Sequence, residues 1–112
     1  MMTGYSTFAR YYDSLTANID YKKRAGYFHE IIKRYKNTEG TILLDLACGT
    51  GSISEEMAKI GYDVIGVDYS DEMLGIALDK KFDSGLNIQY LCQDMRKLDL
   101  YGSMDITICA LD

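Results

Sequence analysis

The chain has no proline, one histidine, and 12 lysines and arginines against 17 aspartates and glutamates in 112 residues. Each scarcity excludes something. With no proline, no repeat and no low-complexity segment, no composition break marks a second domain, and the length suits one. A net charge of −5 argues against duplex nucleic acid as a main partner, because phosphate binding draws on clustered Lys and Arg. The one basic cluster is Lys22, Lys23, Arg24, Lys33, Arg34 and Lys36. It shares a helical stretch with Asp20 and Glu30 and reads as a solvated face. The cysteines are Cys48, Cys92 and Cys109, an odd count without metal-ligand spacing. They are expected to be free, buried thiols in a reducing compartment, with no metal site. No apolar run approaches the ~18 residues of a membrane span, and the first six residues lack the basic and apolar regions of a signal peptide. The expected setting is the cytoplasm, with no membrane partner. His29, between Phe28 and Glu30, is assigned a structural or solvent role.

Hydrophobic residues make up 47% and charged residues 26% of the chain, an ordinary globular mix. Tyr5, Phe8, Tyr11, Tyr12 and Leu15 give a short helix an aromatic face. From Asp20, a predicted N-cap, a stronger helix runs to about Lys36, with Tyr21, Ala25, Phe28, Ile31, Ile32 and Tyr35 at three- and four-residue intervals. A turn at Asn37–Gly40 follows. Strands and helices then alternate. Thr41–Leu46 is an apolar strand, and Ser52–Ile60 a helix with Ile53, Met57 and Ile60 inward and Gly61 as C-cap. Asp63–Val67 is the second strand. A helix capped by Ser70 runs to Lys80, with Met73, Leu74, Ala77 and Leu78 inward and Asp71 and Glu72 at its positive end. Asn87–Cys92 and Asp105–Ala110 are the third and fourth strands. Strands alternating with helices of ~10 residues predict an α/β fold with right-handed crossovers and a parallel sheet.

The first strand runs from Ile42 into Asp45-Leu46-Ala47-Cys48-Gly49-Thr50-Gly51. Gly49 and Gly51 have no Cβ, so a ligand can lie against bare main chain at a helix N-terminus. Asp68 ends the second strand 17 residues after Gly51, where a carboxylate can accept both hydrogen bonds of a ribose diol. Gln93-Asp94-Met95 follows the third strand; there a carboxylate and a backbone N–H can meet the edge of an adenine, with the Met side chain on its face.

Taken in order, these segments resemble the class I S-adenosylmethionine-dependent methyltransferases, in particular small bacterial methyltransferase-domain proteins. The first motif, acidic-x-Gly-x-Gly-x-Gly, is matched from Asp45 to Gly51 with Ala47 in place of its first glycine. Gly66–Leu74 resembles the second motif, Leu91–Met95 the third, and Asp105–Asp112 the fourth strand and its site loop. Phe8–Leu15 is similar to the segment that covers the cofactor in this subgroup. The resemblance implies a Rossmann-like doubly wound parallel sheet of strand order 3-2-1-4 with helices on both faces. Residues 1–40 would form a helical segment covering the site, and residues 41–112 the first half of the cofactor-binding domain. It implies S-adenosyl-L-methionine as cofactor, with Asp45 near the methionine ammonium and Ala47, Gly49 and Gly51 lining the methionine and ribose. Asp68 would hold the ribose hydroxyls, Tyr69 and Met73 would flank adenine, and Asp94 and Met95 would meet its edge. Ala110 would lie near the methionine part, and Tyr12 would close over it. The expected reaction is methyl transfer from a sulfonium by direct displacement. No catalytic base is named, and the acceptor is expected to be a small molecule.

The rivals differ in kind. A dinucleotide oxidoreductase requires Gly-x-Gly-x-x-Gly, but Ser52, Ile53 and Ser54 follow Gly51, and Asp45 would repel a pyrophosphate. A nucleoside triphosphate site lacks its Gly-Lys-Ser/Thr. Cys48 has no basic partner that would make it a nucleophile. The remaining rival is a non-catalytic cofactor-binding or structural fragment. The sequence stops directly after the fourth strand, so the chain is expected to be part of a longer protein. The edge of that strand is then an expected surface for self-association.

Overall fold

The computed structural model describes residues 20–36, 39–94 and 104–109. Helix α1, Tyr21–Tyr35, begins where the Asp20 carboxylate accepts the Lys23 N–H at 3.0 Å, and its last turn carries Lys33 and Arg34. Both ends therefore suit the helix dipole. Four parallel strands follow: β1 Ile42–Leu46, β2 Asp63–Asp68, β3 Ile88–Cys92 and β4 Ile106–Ile108, in the order β3-β2-β1-β4. Helix α2, Ser52–Ile60, joins β1 to β2, and helix α3, Asp71–Ser84, joins β2 to β3. These two steps move in the same direction across the sheet, so right-handed crossing puts α2 and α3 on one face. Helix α1 packs against α2 and shares its core. The chain then reverses to lay β4 on the other side of β1, which makes the C-terminal ends of β1 and β4 the switch point of the sheet. The expectation of helices on both faces reaches beyond the described residues.

Strand register builds two rows across this helical face. Ile88, Val64, Leu43 and Ile106 form the first, and Tyr90, Gly66, Asp45 and Ile108 the second. The first row is apolar and packs with Ala25, Ile32, Ile53 and Met57 into the core. The second holds a tyrosine, a glycine and a carboxylate, and it lies one pleat nearer the strands' C-terminal ends. At the opposite end of the sheet, Asp105 accepts the Ile42 N–H through its carboxylate and donates its own N–H to the Ile42 carbonyl, each at 3.0 Å. That double bond starts the β1–β4 pairing. His29 shares a 2.7 Å hydrogen bond with the Tyr62 hydroxyl, edge-on to its ring, in keeping with a structural role. Among the described residues no helix is long and apolar enough to cross a membrane.

Three expectations need correction. Helix α3 runs four residues beyond Lys80, to Ser84, where Gly85 caps it with φ +70°; Gly85, not the charged Lys80, is the true stop signal. The inward faces are also narrower than periodicity suggests. Ile31, Tyr35, Ile60 and Leu78 are exposed, because each helix meets its neighbours along one stripe and apolar residues flanking that stripe stay in solvent. Finally, the free cysteines are not buried: Cys92 and Cys109 are exposed and Cys48 is half-buried. All three sit at or just past C-terminal strand ends, where helix cover gives way to the loops.

Leu43 is fully buried at the centre of the first row. Leu43→Ala is expected to cost about 2–5 kcal/mol, a large part of the roughly 5–15 kcal/mol that holds a domain folded. Urea denaturation should show the midpoint falling with an unchanged slope.

Candidate cofactor site

The loop after β1 leaves the sheet with every second residue left-handed. Ala47 has φ +56°, Gly49 +59° and Gly51 +82°. The Cys48 N–H donates to the Val67 carbonyl at 2.9 Å, which carries the β1–β2 ladder one step past the strand. The Gly51 N–H donates to the Cys48 carbonyl at 3.0 Å and closes the turn; the Gly51 carbonyl accepts the Glu55 N–H at 2.9 Å and opens α2. The two glycines serve different needs. A β-carbon at Gly49 would meet nothing within 4 Å, so this residue presents open main chain. A β-carbon at Gly51 would strike the Tyr90 hydroxyl, so that position is closed by packing from within. Ala47 bears a methyl group at a φ that favours glycine, a strain of about 1–2 kcal/mol.

Asp68 joins this loop to the next strand end. One carboxylate oxygen accepts the Gly49 N–H at 2.8 Å, the other accepts the Ser70 N–H at 2.9 Å. The Asp68 carbonyl accepts the Gln93 N–H at 3.0 Å, which brings the end of β3, and with it Asp94, alongside. Ser70 accepts the Met73 N–H at 3.1 Å and caps α3. Asp68 is thus the expected carboxylate in the expected place, already committed to two amides. A carboxylate offers about four acceptor positions, so it retains capacity for a diol. Tyr69, next in sequence, is 76% exposed, its ring open to solvent beside this carboxylate.

Asp45, expected near a ligand's ammonium group, lies inward of the loop. It is 1% exposed, and its carboxylate accepts the Ser54 hydroxyl proton at 2.6 Å. Its charge lies beneath the loop. Ser54, wholly buried on α2, was not anticipated; its signal was a hydroxyl between Ile53 and Met57 on the helix's inward side. Tyr90 was missed as well. It is partly buried in the second row, and its hydroxyl oxygen is buried with no hydrogen-bond partner among the described residues. Such a group costs about 1–3 kcal/mol. Burial first, and then the Glu55 and Asp45 carboxylates, pushes its phenol well above the usual range. Burial, followed by Asp45 and Asp68, does the same for the Cys48 thiol, so Cys48 stays protonated and is a poor nucleophile.

The structure therefore brings Asp45, Ala47, Gly49, Gly51, Asp68 and Asp94 to adjacent strand ends, with Tyr69 and Met73 at the start of α3. Tyr12, Met95 and Ala110 lie outside the described residues. Among the described residues no group of three or more His, Cys, Asp or Glu could hold a metal ion. The open main chain at Gly49 thus lies between a buried carboxylate and a half-exposed one.

Comparison with known proteins gives the class. Residues 43–112 match the family model described as "Methyltransferase domain". The chain is 36% identical over 109 residues to "Putative methyltransferase YqeM" of Bacillus subtilis (strain 168); the match covers 96% of this chain and 42% of that protein. It superposes with TM-score 0.78 and 35% identity on an S-adenosylmethionine-dependent methyltransferase from Clostridium acetobutylicum, covering 98% of this chain and 45% of the other. Magnesium protoporphyrin IX methyltransferase from Synechocystis, solved with bound S-adenosylmethionine, aligns with TM-score 0.64 and 27% identity over 79% of this chain and 43% of its own. The chain belongs to the class I S-adenosylmethionine-dependent methyltransferase family. It spans about two fifths of the length of the curated relatives it matches.

Two substitutions test the loop and its underside. Ala47→Gly should leave the melting temperature unchanged or raise it, because relief of the left-handed strain offsets the roughly 0.5–1 kcal/mol of added chain entropy; a clear fall would show that Ala47 is not strained. Ser54→Ala should cost about 1.5–3 kcal/mol by removing a donor from the buried Asp45 carboxylate, and far less in an Asp45→Asn background.

Proposed function

We propose that this chain supplies the S-adenosyl-L-methionine site of a methyltransferase that acts on a small-molecule acceptor. The observation that carries the reading is the Asp68 carboxylate held between the Gly49 and Ser70 amides, with open main chain at Gly49 beside it. The residues present fit the cofactor. Asp68 keeps acceptor capacity for ribose hydroxyls, Gly49 offers uncovered backbone, and Tyr69 offers an aromatic face for adenine. Met73 flanks the same side, and Asp94, with Met95, serves the adenine edge. Asp45 acts through its charge from beneath the loop, favouring an ammonium group above it, while Ala47, Gly49 and Gly51 line the methionine and ribose. Tyr12 and Ala110 complete the methionine side.

When bound, the cofactor brings a methyl group already activated on a sulfonium. The work left to the protein is to orient donor and acceptor in line and to exclude water. In this reading residues 41–112 form the first half of the cofactor-binding domain. Covering the site falls to the helical segment of residues 1–40. The acidic balance of the chain favours a small acceptor over nucleic acid. Three free thiols fit a cytoplasmic setting.

Calorimetric titration with S-adenosylhomocysteine tests the reading, beside Asp68→Ala and an NAD control. Wild type should bind in the micromolar range. The variant should lose about tenfold or more, near 1.4 kcal/mol, while retaining its helical circular dichroism, and NAD should not bind. Absence of binding both in this chain and in a longer form carrying further strands would remove the methyltransferase reading and leave a structural domain.

A further inference from the structure

Tyr90 is the one side chain near the loop whose chemistry the site does not explain. It stands on β3 in register with Gly66, which in turn is in register with Asp45. A β-carbon at Gly66 would lie 2.7 Å from two Tyr90 ring carbons, so the ring lies directly over that glycine. At Gly51 a β-carbon would strike the hydroxyl oxygen and come within 3.0 Å of the ring carbon that bears it and 3.1 Å of the Ala77 methyl. The ring therefore crosses β2 through the notch at Gly66, and its tip touches the last residue of the glycine loop.

Phenylalanine would fill the same notch. The hydroxyl adds a buried polar atom that finds no partner among the described residues. Ser54 lies close enough to favour the ionised phenol, but the two hydroxyls do not meet hydrogen-bond geometry, and the Ser54 proton is directed to Asp45 at 2.6 Å. An unsatisfied buried group in a native fold calls for an explanation, and fold stability does not supply one, because the fold would gain by losing it. What the oxygen does supply is bulk at one point, against Gly51. Gly51 is the hinge between the turn closed on Cys48 and the first hydrogen bond of α2.

We propose that Tyr90 is a positioning residue for the glycine loop, its hydroxyl oxygen acting as a wedge under Gly51 that sets how far the loop stands above β2. The wedge fixes where Gly49 presents its open main chain relative to Asp68. The consequence for ligand affinity rests on the cofactor reading above; the consequence for the loop does not. The hydroxyl then lowers stability in exchange for a fixed loop, a trade expected where a binding site needs a set but unfavourable arrangement.

The test is Tyr90→Phe, which removes one oxygen and leaves the ring. Three quantities are compared with wild type: melting temperature, hydrogen exchange at the Gly49 and Gly51 amides, and affinity for S-adenosylhomocysteine. The expected result is a melting temperature unchanged or raised by roughly 2–5 °C, amide exchange faster by about tenfold at Gly51 and Gly49, and affinity weakened by about fivefold. A purely structural tyrosine would lower the melting temperature and would not loosen these two amides selectively. Unchanged exchange at both amides overturns the proposal, as does unchanged affinity in a variant whose wild type binds. If the wild type binds no S-adenosylhomocysteine, the cofactor reading is what fails, and amide exchange alone decides the wedge. Should Tyr90→Phe not fold, Gly66→Ala displaces the ring from its other side. It must then alter Gly51 exchange if the proposal is right, and leave it unaltered if it is wrong.

Discussion

The bond on which the site depends is the one from the Gly49 N–H to the Asp68 carboxylate, 2.8 Å long. It joins two strand ends that would otherwise meet only through the sheet. The other oxygen of the same carboxylate receives the Ser70 N–H, so one side chain sets the loop before α2 and the turn before α3 together. A charge-assisted bond of this kind is roughly twice as strong as a neutral one. It also helps hold a loop in which Ala47, Gly49 and Gly51 are all left-handed.

Beneath that loop lies a second polar layer. Asp45 is the penultimate residue of β1, one pleat beyond a wholly apolar row, and its carboxylate is met by Ser54 from α2. Such a buried carboxylate is tolerated only with donors around it. Its presence, with a Tyr90 hydroxyl in the same row that finds no partner among the described residues, marks this end of the sheet as shaped for something other than stability. The opposite end, with Leu43, Val64 and Ile88, follows ordinary core rules. The sheet is thus graded along its strands, apolar where the fold is held and polar where the ligand site is proposed.

The degree to which the sequence could be read follows the same division. Helix starts were legible because Asp20 and Ser70 carry their own signals, and each accepts the N–H three residues on. The strands were legible within a residue or two, since both faces of an inner parallel strand read as apolar. Helix faces were less so: Leu78 and Tyr35 keep the spacing of core residues but lie in solvent, because periodicity says which side is apolar and not how much of it a neighbour covers. The cysteines were misjudged for a related reason, since being apolar does not determine whether a position at a strand end is covered.

The sequence by itself determined the order of elements, the placement of the glycine loop and the acidic residues at three strand ends. All of these are local or periodic properties that a chain carries before it folds. Only the tertiary structure decided that Asp45 turns inward to Ser54, that Gly51 is required by Tyr90 as well as by the turn, and that Asp68 spends part of its capacity on the loop itself. Those facts come from register between strands far apart in sequence. A one-residue slip would turn each of these side chains to the other face, and no local signal carries that information.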